Sequence, residues 1–152
     1  MVREETSVVN LKLEKDLIFK VNLGYDNVKE LIIDETMEEK SKQKGPDAAE
    51  LLAMAILSCL NASFIFCLQK RNLSVEDLEA RAEVSFKKIE RGYVRIKKID
   101  VKIVPKSNDP LVIKRVNQCI KKMKNENMFF EESCIITESV RQGIEVNVDI
   151  EL

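Results

Sequence analysis

Cys59 and Cys134 are the residues of this 152-residue chain best suited to chemistry. The chain has no histidine, so neither a Ser-His nor a Cys-His dyad can form, and any nucleophile must be a thiolate. Its activation would have to come from a lysine, an arginine or a hydrogen-bond network. Cys59 falls near the middle of a long apolar stretch, and Cys134 lies far downstream, just before a strand-like segment. Two thiols with no other strong catalytic group point toward redox chemistry. Cys67 and Cys119 read as small packing residues and are expected to stay free. The four cysteines contain no CxxC, and a structural zinc site would need all of them, so no metal is expected.

The composition narrows the class. Apolar residues make up 45% of the chain and charged ones 34%, with a net charge of −1. The first figure excludes a disordered chain, and the balance of signs gives no general pull toward nucleic acid. Lys97, Lys98 and Lys102, with Lys114, Lys121, Lys122 and Lys124, could suggest nucleic acid, but nearby glutamates and the near-zero net charge make them read as a solvated face. The charged start MVREETSVV lacks the apolar core of a signal peptide. A cytoplasmic protein with reduced thiols is the expectation. No cofactor, nucleic acid or membrane partner is expected.

The elements that must position the thiols follow from periodicity. Val9, Leu11 and Leu13, then Leu17, Phe19, Val21 and Leu23, alternate with polar residues and predict a hairpin with one buried face. Leu31-Ile32-Ile33 predicts a third strand, and residues 35–44 a charged loop. The long helix is predicted from about Gly45 to Arg71, with Pro46 at its entry and Asp47 and Glu50 spaced as a capping box. From Leu51 to Leu68 it is apolar on nearly all sides. Its length would suit a membrane span, but Ser58, Asn61 and Ser63 at its centre fit a protein core better.

Residues 80–87 and 94–103 predict a second hairpin turning at Arg91-Gly92, and a parity switch between Ile96 and Ile99 predicts a β-bulge near Lys97-Lys98. Asn108-Asp109-Pro110 caps a second helix with the stripe Val112, Val116, Cys119, Ile120 and Met123. Ile144, Val146, Val148 and Ile150 predict a final one-sided strand. The fold class is α+β, a single domain over 1–152, with an antiparallel sheet, two main helices and a long buried central helix. One sheet covers one side of a helix, so a helix apolar all round predicts a homodimer that buries the two central helices together.

GPDAAELLAMAILSC, with a Pro-containing entry, Glu-Leu-Leu, small residues and a mid-helix Cys, resembles the signature helix of the OsmC/Ohr family. That family is named for osmotically inducible protein C and organic hydroperoxide resistance protein. The similarity continues through LSVEDLEARAEVSF, GYVRIKKIDVKI and SCIITESVRQGIEVNVDIEL. It implies an OsmC-like fold in an intertwined homodimer. It also implies reduction of organic hydroperoxides in protection against oxidative stress, with Cys59 as the peroxidatic and Cys134 as the resolving cysteine. An external dithiol would reset the pair. The alternative is a non-catalytic dimer of the same fold that binds a small apolar molecule.

The chain departs from the hydroperoxide-resistance branch where that branch has a glutamate ten residues before the reactive cysteine, helping an arginine to orient the thiolate. Ala49 stands there. Glu50 is nine before, and nine residues turn a helix by about 900°, toward the opposite face. Arg3 is the only arginine before Arg71. The expected substitute is therefore Lys40, Lys42 or Lys44, or Arg3, or a lysine of the partner subunit.

Overall fold

The structure, a computed structural model, describes residues 7–152. Arg3 lies outside the described residues. The chain divides into two compact units, 1–51 and 52–152, with the boundary in the first turn of the long helix.

In the first unit, β1 (Asn10–Lys15), β2 (Ile18–Asn22) and β3 (Leu31–Asp34) form an antiparallel sheet in that order. The predicted hairpin and third strand are present. The predicted one-sided burial does not hold: in β2 the buried residues are Ile18 and Val21, three apart and therefore on opposite faces, and β1 is exposed along its whole length. Asp34 ends β3 and organises the following loop. Its carboxylate accepts the backbone N–H of Thr36 (2.9 Å) and of Lys44 (2.8 Å), and also the Thr36 hydroxyl. These donors hold the Asp34 carboxyl below the usual carboxylate range, the Lys44 amide being the largest cause. The stability they lend is present at neutral pH and is lost as pH falls below about 4, through the depressed value.

Gly45 passes so close to β3 that a Cβ there would collide with the Ile32 carbonyl oxygen. Gly45→Ala should therefore force backbone movement and cost roughly 1–3 kcal/mol, read as a lowered denaturant midpoint with an unchanged slope.

The long helix is α1, Ala48–Gln69. It starts where the capping box puts it: Asp47 Oδ1 accepts the Glu50 N–H (2.8 Å) and Glu50 Oε2 accepts the Asp47 N–H (3.2 Å). It is two to three residues shorter at each end than the sequence predicts, because Pro46 precedes the cap and a Schellman turn closes the other end. There Asn72 takes a left-handed φ of 54°, Asn72 N–H bonds the Gln69 carbonyl (2.9 Å) and Leu73 N–H that of Leu68 (3.3 Å). By length and hydropathy α1 could cross a membrane. Within the second unit, however, its Ile56, Leu60, Phe64 and Leu68 form the core together with Cys119, Phe130 and Cys134.

Across that core lies the long hairpin of β4 (Asp77–Lys88) and β5 (Val94–Lys106). Its register runs from Ser85 opposite Lys98 to Phe86 opposite Ile96, leaving Lys97 as the extra residue of the predicted bulge. The bulge turns Ile96 and Ile99 to the same face. The second helix, α2 (Pro110–Cys119), is capped by Asp109, whose side chain accepts the Leu111 N–H. It ends before Met123, because residues 122–128 turn back on themselves through a bridge between Lys122 and Met128.

Two features differ from the sequence reading. A tight turn at Phe129–Ser133 leads into a third helix, α3 (Ile135–Gln142), which was not predicted. Its β-branched start obscured it, although Ile136 and Val140 at i,i+4 and a helix-ending Gly143 (φ 82°) are its signals. The predicted final strand does not form. Residues 143–152 are exposed and unpaired, because a strand needs an edge to bond to, whatever its alternation.

Candidate functional site

Cys59 and Cys134 come together. α1 carries Cys59, half-buried, less than two turns beyond its first buried residue, Ala53. Cys134 is the N-cap of α3 and is 1% exposed. Its Sγ accepts the Thr137 N–H (3.4 Å) and donates to Thr137 Oγ1 (3.0 Å). A sulfur thus fills the position that an oxygen usually holds at a helix start. The Cys59 thiol lies near this same helix start, where Cys134 and the backbone amides of Ile136 and Ile135 are the groups that act on its charge.

The electrostatics of Cys59 follow from these neighbours. Burial pushes its thiol up from the ordinary value, and Cys134 pushes it the same way through a hydrogen bond and through charge repulsion. The amides of Ile136 and Ile135 pull it down without cancelling the rise. None of these groups, among the described residues, is a cation. Lys40 instead pairs with Glu50, and Lys42 with Glu39 (3.6 Å). Lys44 meets Asp34 through its backbone.

A cavity of about 700 Å³ lies next to Thr137, the residue hydrogen-bonded to Cys134, although neither cysteine lines it. Leu52, Ile56, Leu60 and Phe64, one face of α1, form one wall, and Ile99, Val101 and Ile103 of β5 another. Thr137, the partner of Cys134, reaches its lining, as does Arg141 one turn further along α3. Arg141 forks onto Glu138 (Nη1, 2.7 Å) and Glu131 (Nη2, 2.6 Å), so its charge is neutralised at the rim of a mostly apolar space that Lys97 and Lys98 also line. Neither Thr137 nor Arg141 was singled out in the sequence.

Cys67 and Cys119 are not free, contrary to expectation. They form a disulfide with Cα atoms 6.2 Å apart, joining the last turn of α1 to the last residue of α2. Both are buried, so the packing role holds, but the free-thiol reading does not. Fifty-two positions separate them, and no local pattern signals the pairing. The described residues contain no cluster of three or more potential metal ligands.

The chain is α+β, with a long helix that is buried along one side and exposed along the other in the single chain, and two thiols that meet near the start of a later helix. Residues 41–149 match the family described as OsmC-like protein, and the chain belongs to it. No match was found among curated proteins. Solved structures share the fold. An OsmC-like protein from Mycoplasma pneumoniae is 14% identical, covering 91% of this chain and 89% of its own, with a TM-score of 0.66. The organic hydroperoxide resistance protein OhrB of Bacillus subtilis is 18% identical, with 88% and 90% covered and a TM-score of 0.58. An organic hydroperoxide resistance protein from Legionella pneumophila is 13% identical, with 92% of each chain covered and a TM-score of 0.60.

Proposed function

We propose that this protein reduces organic hydroperoxides through Cys59 and Cys134. The observation that carries the reading is the meeting of the two thiols at the start of α3. The Cys59 thiolate attacks the terminal peroxide oxygen, the O–O bond breaks, and the alkoxide takes a proton and leaves as the alcohol. Cys59 is then a sulfenic acid. The Cys134 sulfur attacks it, water leaves, and a disulfide remains. An external dithiol returns both thiols to the reduced state. The apolar cavity would favour an organic peroxide over hydrogen peroxide. The test is consumption of cumene hydroperoxide against hydrogen peroxide with a dithiol donor. Equal rates would sink the organic preference, and no turnover of either would sink the enzyme.

One observation favours the alternative, a non-catalytic binder of a small apolar molecule: the raised pKa of Cys59. A thiol above its ordinary value of about 8.5 is only a few per cent thiolate or less at pH 7. Its alkylation rate should climb about tenfold per pH unit up to a midpoint above about 8.5, and peroxide turnover should climb with it. Alkylation of Cys59 by iodoacetamide across pH 6–10, followed by mass spectrometry, reads that midpoint. A midpoint well below it would mean that a cation outside the described contacts activates the thiol.

The active form in this proposal is a homodimer. Two observations support it: the face of α1 formed by Met54, Ser58, Ala62 and Phe66 is exposed in the single chain, and Ile144, Val146, Val148 and Ile150 alternate along an unpaired segment. Sedimentation equilibrium should give twice 17.5 kDa at all concentrations where the protein is folded. A folded monomer would overturn the assembly. Ala55→Asp, on the exposed side of α1, should unfold the protein rather than split the dimer cleanly.

A further inference from the structure

We propose that Cys67 and Cys119 form a second dithiol–disulfide site, separate from Cys59 and Cys134, whose oxidation state decides whether α2 stays fixed as a wall of the cavity. Separation from the first pair follows from helix geometry. Cys67 is eight residues beyond Cys59 on α1, about 12 Å along its axis, so the two cannot condense directly.

The coupling to the cavity comes from how few ties hold α2 besides this bond: Val112, Val116 and the Arg115 side chain on the Cys67 carbonyl. A helix of ten residues is marginal in water by itself. Its buried side chains are Val112 near one end and Cys119 at the other. The disulfide is thus the covalent anchor of the C-terminal end, and Val116 and Ile120, which flank Cys119, line the cavity. Release of Cys119 frees the segment that carries both.

Arg115 makes the bond a reversible one. Its Nε and Nη2 donate to the Cys67 carbonyl (3.1 and 2.9 Å), and Nη2 also stands 3.6 Å from Cys67 Sγ. In the disulfide this guanidinium faces an uncharged sulfur. After reduction it faces a thiol whose thiolate it stabilises, which makes Cys67 the better leaving group. A dithiol donor attacks Cys119 Sγ, the S–S bond breaks and Cys67 leaves as the thiolate. The donor's second thiol then closes its own disulfide and expels Cys119, and the donor's two protons finish on the two cysteines. An organic hydroperoxide reverses the change, taking two electrons and two protons to become an alcohol and water. Cys119 is 0% and Cys67 4% exposed, so reduction must wait for the end of α2 to open.

The test uses full-length Cys59→Ser/Cys134→Ser protein, so it does not depend on the peroxide chemistry proposed above. The protein is equilibrated with oxidised or with reduced dithiothreitol. Thiols are then counted by alkylation and mass spectrometry, amide exchange is followed over 110–120, and the Val116 and Ile120 methyl groups are followed by NMR. The oxidised sample should yield a linked 67–119 peptide. Reduction should accelerate exchange over 110–120 by about tenfold or more and shift or broaden both methyl signals, with those of Leu52 and Ile56 little changed. Cys67→Ala/Cys119→Ala added to that background should match the reduced sample. Free Cys67 and Cys119 under oxidising conditions, or identical exchange and methyl spectra in the two states, would overturn the proposal.

Discussion

Cys59→Ser is expected to lower cumene hydroperoxide turnover by roughly a hundredfold or more, because a serine hydroxyl has no accessible anion near neutral pH and is a poor nucleophile toward peroxide oxygen. Cys134→Ser separates the two roles. Its Cys59 should still react with one equivalent of peroxide, and the sulfenic acid should then persist and be trapped by dimedone. A single-turnover burst without steady consumption is the expected kinetic signature. After mild peroxide treatment, wild type should yield a 59–134 linked peptide in addition to the 67–119 link. Undiminished turnover in Cys59→Ser would end the two-cysteine mechanism. Cys134 also caps α3 through Thr137, so the serine variant, which keeps a capping atom, is the right probe, and alanine would mix catalysis with helix stability.

The second large effect is on stability. Phe64→Ala should cost about 3–5 kcal/mol. Phe64 is 1% exposed, and its ring meets Phe130 edge-on, with centroids 5.4 Å apart and an interplanar angle of 82°. It also lines the cavity, so truncation enlarges an existing space that the neighbouring side chains cannot easily close. Denaturant unfolding at fixed protein concentration measures the loss. Phe66, two residues on and 45% exposed beneath Lys70, provides the contrast. In a monomer Phe66→Ala should cost well under the Phe64 figure. If the exposed face of α1 is buried between copies, as proposed, its cost should approach that figure and depend on protein concentration.

Much of this architecture is local chemistry, and local chemistry is legible. The Asp47–Glu50 box fixes the start of α1, Asp109-Pro110 the start of α2, and the parity switch around Lys97 the bulge in β5. Each signal acts over fewer than five residues, the range on which capping and side-chain alternation operate. α3 escaped because Ile135, Ile136 and Thr137 favour strands by propensity. What makes them helical is a cap from Cys134 and burial of one face in the core. The segment 144–150 shows the reverse: its alternation prescribes a strand, but a strand exists only where another backbone meets it.

For the site, the residues supplied the nucleophile by exclusion, since a chain without histidine leaves thiol chemistry as its strongest option. The family resemblance implied the pairing of Cys59 with Cys134. Tertiary structure decided the rest. Only packing could bring α3 against α1 and set the backbone amides of Ile135 and Ile136 near Cys59. Only packing could place Cys67 within bonding distance of Cys119, because a contact between residues 52 positions apart depends on every element folded between them.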